Sequence, residues 1–131
     1  MEMEIVSPGG KKVNAYFEGF TVMTDQSKEY GGEGSAPEPF QLFLASIGTC
    51  AGVNIVVFCQ KRDIPTDDIK IILRDYRNPE TRMRDRITIE IQLAVDFPEK
   101  YKKAVIRAAE TCAVKRHLSK SIEFETFIKT L

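Results

Sequence analysis

The chain has 131 residues, with 19 lysines and arginines against 19 aspartates and glutamates, for a formal net charge of zero. That balance excludes a general electrostatic partner such as nucleic acid, which demands a basic face. The length sets one domain, residues 1–131, as the expectation. The opening MEMEIVSPGG has neither a basic stretch nor an apolar run, so no secretory leader is read there. Three cysteines without a framework spacing point to a reducing cytoplasm, where they are thiols unless they react.

Met1, Met3 and Ile5 alternate with Glu2 and Glu4, the pattern of a half-buried strand. Pro8-Gly9-Gly10 turns the chain, and Val13, Ala15 and Phe17 continue the alternation in a second strand. Glu18-Gly19 turns again, before a third short strand carrying Phe20, Val22 and Thr24. Residues 25–38 are rich in glycine and serine. No Gly-Lys-Ser/Thr follows to complete a phosphate cradle, so the segment is read as a flexible loop feeding the next element.

From Phe40 to Gln60 there is no charge. A membrane span needs about 18 or more apolar residues, and the length fits. The polar or small Gln41, Ser46, Gly48, Thr49, Gly52 and Asn54 argue against a span, as do the charged amphipathic strands elsewhere. No turn signal divides the segment into strands. It is read as a helix apolar on nearly every side, which must be surrounded by protein. Pro39 suits its first position. Glu38 at one end and Lys61-Arg62 at the other complement its dipole, and Pro65 stops it. One small sheet has trouble covering such a helix, so a dimer is expected.

Ile69, Ile71 and Leu73 alternate with Lys70, Ile72 and Arg74 in a fourth strand, and Asn78-Pro79-Glu80 marks a loop. Residues 87–97 form the cleanest strand, with Ile87, Ile89, Ile91, Leu93, Val95 and Phe97 on one face. Between the two, Arg77, Arg82, Arg84 and Arg86 interleave with Glu80 and Asp85 and are read as a solvated hairpin tip. Pro98 and Glu99 open a second helix, whose Tyr101, Ala104, Val105, Ala108 and Cys112 make one stripe. Ala113 to Leu118 form a third, short helix, and Ser121 to Leu131 a final strand with Ile122, Phe124 and Ile128 on one face. The order β-β-β-α-β-β-α-α-β is an α+β fold.

Cys50 and Cys59 lie nine residues apart, on opposite faces of the long helix, and cannot bridge while it is intact. Cys59, beside Val56 and Phe58, reads as a small buried apolar residue. Cys50 follows Gly48-Thr49, where a break in the helix would supply amides to a thiolate. Cys112 lies between two helical patterns and is followed by Lys115, Arg116 and His117, a setting for a reactive or resolving thiol. Buried structural cysteines are common, so both readings of this pair stand at this point. His117 is the only histidine, and a zinc site lacks further ligands at usable spacing. The carboxylates sit on solvated strand faces and give glycosidase chemistry no specific support.

Ala36-Pro-Glu-Pro-Phe-Gln-Leu-Phe-Leu-Ala-Ser-Ile-Gly-Thr-Cys50, followed about sixty residues on by Glu110-Thr-Cys112-Ala-Val-Lys-Arg-His-Leu118, resembles the OsmC/Ohr family of osmotically inducible and organic hydroperoxide resistance proteins. The likeness covers nearly the whole chain and is nearest the OsmC-like branch. It implies an intertwined homodimer, two sheets wrapped round two central helices, with the active site at the subunit interface. It also implies a thiol peroxidase, in which the first cysteine reduces organic hydroperoxides and the second resolves the sulfenic acid as a disulfide. On this chain those residues are Cys50 and Cys112. The implied reductant is an external lipoyl-type dithiol, with no bound cofactor or metal.

The family's peroxidases hold the thiolate with a glutamate nine or ten residues earlier, paired to an N-terminal arginine. Here those positions are Phe40 and Gln41, the nearest carboxylate is Glu38, and no arginine precedes Arg62. Only Lys11, Lys12 or Lys28 offers an N-terminal cation. Gln41, Glu38, Lys11 and Lys12 are therefore supporting candidates. An apolar wall of Phe43, Ile47, Val53 and Val57 would favour alkyl hydroperoxides over hydrogen peroxide. The alternatives are a non-enzymatic dimer binding a small apolar ligand, and a redox sensor.

Overall fold

The computed structural model describes residues 1–131. By compactness the chain divides into two units, Met1–Ala45 and Ser46–Leu131. The elements are β1 (Glu4–Gly9), β2 (Lys12–Phe17), β3 (Phe20–Thr24), α1 (Pro39–Gln60), β4 (Lys70–Arg77), β5 (Arg84–Gln92), α2 (Lys102–Glu110) and α3 (Ala113–Leu118), with single 3-10 turns at Lys28–Tyr30 and Glu99–Tyr101. This is the expected α+β order up to the last strand.

In the first unit β1, β2 and β3 form an antiparallel meander, with Ile5 opposite Ala15 and Ala15 opposite Val22. The β2–β3 turn places both Glu18 and Gly19 at positive φ (49° and 81°), the two-residue geometry that matches strand twist. Met1 and Met3 lie outside β1, which starts at Glu4.

The glycine-rich segment is not the flexible loop expected from its composition. It is tied around Asp25, which is only 1% exposed. The Asp25 carboxylate accepts hydrogen bonds from the amides of Gln26 (2.8 Å), Ser35 (3.1 Å) and Glu33 (3.3 Å) and from the Ser35 hydroxyl (2.7 Å). The Ser35 bonds foremost hold its carboxyl well below the usual range, at about 2. The Asp25 amide donates to the Pro37 carbonyl at 3.1 Å, which closes the loop. Amides that a phosphate loop would turn to a ligand are thus spent on the chain's own carboxylate. Gly32 is required here: a Cβ would fall 2.0 Å from the Gln26 carbonyl oxygen.

In the second unit β4 and β5 form an antiparallel hairpin with Ile71 opposite Ile91 and Leu73 opposite Ile89. The α1 residues Ile47, Ala51, Ile55 and Cys59 fall four apart and are buried. The last three join Phe97, Val105 and Ala109 in the core. Gly48 and Gly52 let β4 close in, with Leu73 and Ile71 methyls 3.5 and 3.3 Å from where a Cβ would stand. The Asn54 amide donates to the Ala108 carbonyl at 3.0 Å, tying α1 to α2.

Three expectations are corrected. α1 is not covered on all sides: Val53 and Val57 are 54% and 42% exposed. It is long and apolar enough to cross a membrane, and its buried stripe packs on β4, β5 and α2. β5 ends at Gln92 rather than Phe97, because a turn closed by the Phe97 amide on the Ala94 carbonyl (3.0 Å) swings Phe97 into the core and leaves Val95 outside. The final strand over Ser121–Leu131 is not formed: these residues run exposed, since a strand needs a second backbone to satisfy its amides and carbonyls.

Two outcomes follow for stability. Gly32→Ala should cost roughly 1–3 kcal/mol, because backbone must move, while Gly52→Ala meets only the end of Ile71 and shifts the urea midpoint far less. Asp25 has a folded pKa depressed from 3.8 to about 2, so its contribution is present above pH 3.8 and is lost as pH falls towards 2. The difference in urea midpoint between wild type and Asp25→Asn should shrink across that window.

Candidate active site

α1 runs unbroken through Gly48 and Thr49, so the helix break expected to serve Cys50 is absent. The amides come from elsewhere. α2 ends at Glu110, where the Thr111 hydroxyl folds back onto the Arg107 carbonyl at 3.0 Å. Cys112 then takes an extended conformation (φ −66°, ψ 153°) and starts α3. No side chain caps α3, and a helix's first amides lack partners within it. They lie beside Cys50: the amides of Val114 and Ala113 and the Cys112 thiol all act on its sulfur.

This setting pulls the Cys50 thiol below its usual pKa. The Val114 amide is the largest cause, followed by the Cys112 thiol, the Ala113 amide and the positive charge of Arg116, with burial opposing them. Cys50 is half-buried and Cys112 fully buried, and all three cysteines are free thiols. Cys59 is 0% exposed, and burial pushes its thiol up.

The supporting candidates have local duties in the first unit. The Glu38 amide donates to the Gln41 side chain at 2.9 Å while the Gln41 amide donates to the Glu38 carbonyl at 3.0 Å, a reciprocal cap that starts α1. The Glu38 carboxylate accepts from the Ser27 amide at 3.2 Å. Lys12 pairs with Glu33 at 2.6 Å, and Lys11 packs beside Gly31. Of the expected apolar wall, Ile47 is buried, Val53 and Val57 face outward, and Phe43 stacks against Phe40 at 5.4 Å in the first unit.

A cavity of about 870 Å³ opens in the second unit between β5 and α2. Ile87, Ile89, Ile91, Val105 and Ala109 make its walls, with Ile47, one turn before Cys50, at one side. Lys102, Glu110 and Lys115 are its charged groups. No group of three or more histidine, cysteine, aspartate or glutamate side chains is placed to hold a metal ion. His117 bonds through Nδ1 to the Ala113 carbonyl at 2.7 Å.

Sequence reasoning reached the two cysteines and the short helix after Cys112. It drew the amides for Cys50 from a break in α1 rather than from α3, since nothing in local spacing tells which thiol the α3 amides face.

The family model described as OsmC-like protein matches residues 32–127. Among solved structures, the chain is similar to a protein of Psychrobacter arcticus described as an osmotic stress induced and detoxification response protein, with TM-score 0.76 and 19% identity over 87% of this chain and 85% of that one. It is similar to an OsmC-like protein from Mycoplasma pneumoniae, with TM-score 0.70 and 14% identity over 90% and 86%. It is also similar to an organic hydroperoxide resistance protein OsmC from Legionella pneumophila, with TM-score 0.54 and 21% identity over 90% and 89%. No curated protein matches the chain in sequence.

The three thiols should separate in reactivity. With limiting iodoacetamide at neutral pH, peptide mapping should find Cys50 modified first and Cys59 last, given the lowered and raised thiols and their exposures. Modification of Cys59 ahead of Cys50 would contradict this site.

Proposed function

Because the chain belongs to the OsmC-like protein family, we propose that it is a dithiol-dependent peroxidase acting on organic hydroperoxides through Cys50 and Cys112. What supports this reading is that two free thiols far apart in sequence act on each other, with Cys50 half-buried and its thiol pulled down by the amides at the start of α3. The structural relative named an organic hydroperoxide resistance protein supports the substrate class.

The Cys50 thiolate attacks one oxygen of the O–O bond. That bond breaks, the alkoxide takes a proton and leaves as the alcohol, and Cys50 becomes a sulfenic acid. The Cys112 sulfur attacks the sulfenic sulfur, forming the disulfide, and the expelled hydroxide leaves as water with the thiol proton. An external dithiol, lipoyl-type on this reading, reduces the disulfide and is itself oxidised to a disulfide. The α3 amides stabilise the attacking anion, and Cys112 already touches its target. The apolar cavity that begins at Ile47 would take the alkyl part of the substrate. In a reducing cytoplasm both thiols would be regenerated between turnovers.

The same reading assigns a homodimer. The outward stripe of α1 and the unpaired segment Ile122 to Leu131 are apolar surfaces that a second copy would cover. The cavity also favours a second function, binding of a small apolar ligand without redox chemistry.

Turnover of cumene hydroperoxide with dihydrolipoamide tests the first reading. Wild type should turn over, Cys50→Ser should show no rate above background, and Cys112→Ser should stop after one equivalent. One equivalent of hydroperoxide should also remove two hydrogens from intact protein, mapped to Cys50–Cys112. Unreacted thiols would leave the ligand-binding reading. Sedimentation should give a dimer, and removal of residues 121–131 should shift it towards monomer.

A further inference from the structure

We propose that Asn54 is a positioning residue for the Cys50–Cys112 pair: from α1 its side chain ends α2, and so sets Cys112 against Cys50. The inference rests on the peroxidase reading for its purpose, but on a hydrogen bond of its own for its content.

Asn54 stands four residues after Cys50 on α1, one turn along and on nearly the same face. Ala108 stands four residues before Cys112. The Asn54 Nδ2 donates to the Ala108 carbonyl at 3.0 Å. One bond therefore joins the two stretches of chain at the same short remove from each thiol.

In a continuing helix the amide of residue 112 would bond to the carbonyl of residue 108. α2 makes its last such bond one residue earlier, from the Thr111 amide to the Arg107 carbonyl at 3.1 Å. Thr111 then leaves helical geometry (φ −98°, ψ 20°), and Cys112 is extended (φ −66°, ψ 153°). The Ala108 carbonyl is thus the first acceptor that the helix end leaves over. Asn54 takes the place of the Cys112 amide there, with a longer second bond from the Thr111 hydroxyl at 3.4 Å. Left unfilled on a half-buried residue, that carbonyl would favour one more helical bond, which would carry Cys112 on around α2. With Asn54 as the donor, the chain turns at Cys112 and opens α3, where the Cys112 thiol acts on the Cys50 sulfur.

The packing beside this bond does not fix that register. Ala51 and Ile55 of α1 share the core with Val105 and Ala109 of α2, all at most 3% exposed. Apolar burial has no direction, so small side chains of this kind tolerate a slide of one helix along the other. A hydrogen bond has a length and an angle, and it sets the place where α2 stops relative to Cys50.

The test reads the pairing of the thiols without peroxide. The full-length chain is equilibrated with mixtures of oxidised and reduced glutathione, and the Cys50–Cys112 disulfide is counted by peptide mass spectrometry. Formation consumes one oxidised glutathione: both protein thiols lose their protons, one S–S bond forms as another breaks, and two reduced glutathiones leave. Asn54→Leu keeps the bulk and removes the donor. The glutathione ratio at half-formation should then shift roughly two- to tenfold against the disulfide, the range of one hydrogen bond. Asn54→Ala, which brings in no new bulk, should shift it the same way. Ile55→Val loosens the same core without touching the bond, and should keep the wild-type ratio. A ratio unchanged, or shifted the other way, in the folded Asn54 variants overturns the inference. So does an equal shift in Ile55→Val, or a wild type that forms no Cys50–Cys112 disulfide at any ratio. Peroxide turnover is scored apart. A disulfide weakened by the Asn54 variants, with no wild-type turnover, removes the peroxidase reading and keeps the role of Asn54. Turnover with an unshifted ratio does the reverse.

Discussion

An α-helix without charge from Phe40 to Gln60 is the constraint from which the rest of the structure follows. Such a helix has no face that water solvates well, so every side needs cover. The second unit covers one stripe of it. Residues four apart, Ile47 to Cys59, meet the apolar face of β4–β5 and the Val105–Ala109 stripe of α2. Full burial of a side chain such as Ile55 is worth about 1.5–3 kcal/mol. Gly48 and Gly52 let the sheet approach closely enough to realise it. The opposite stripe, with Val53 and Val57, is still open, and so is the apolar segment after α3. One physical demand, met halfway, accounts both for the core and for the apolar surfaces left open.

Cys50 takes its character from that arrangement. It sits on α1, off the buried stripe, and is half-buried. α3 is short and uncapped, so its first amides seek an acceptor, and the sulfur is that acceptor. A thiolate accepts those bonds better than a thiol does. The same preference bears on redox poise. An environment that stabilises the reduced anion makes the corresponding disulfide easier to reduce. If Cys50 and Cys112 cycle through a disulfide, the amides that prime attack also ease recovery by a dithiol.

Much of this was legible in the residues. Alternation located β1 to β4, the uncharged run with its Pro39 start located α1, and the break at Cys112 separated α2 from α3 at the right residue. Nine-residue spacing set Cys50 and Cys59 on opposite faces of α1, and the buried stripe carries Cys59. What failed did so for tertiary reasons. Alternation through Phe97 looks like strand, but Phe97 packs better in the core after a turn than in line with β5. The pattern in Ile122, Phe124 and Ile128 describes a strand without naming its partner, and one chain does not supply it. The glycine-rich loop looked slack because composition does not show that Asp25 gathers its amides. Gly48-Thr49 looked like a helix break, yet a glycine in a helix serves equally well for close packing, and that is the use of Gly48 here.

The chain thus uses one device twice, with opposite results. Backbone amides gather at Asp25 and again at Cys50. At Asp25 three amides and a hydroxyl converge on a carboxylate that is only 1% exposed. Its lone pairs are filled, it stays ionised through the neutral range, and it functions as a lock for the loop around Gly32. At Cys50 only two amides act on the sulfur, the third partner is another thiol, and the residue is only half-buried. An anion that is stabilised but not saturated retains a lone pair to give. Donor count and exposure, rather than residue type alone, therefore separate the closed lock at Asp25 from the open thiol at Cys50.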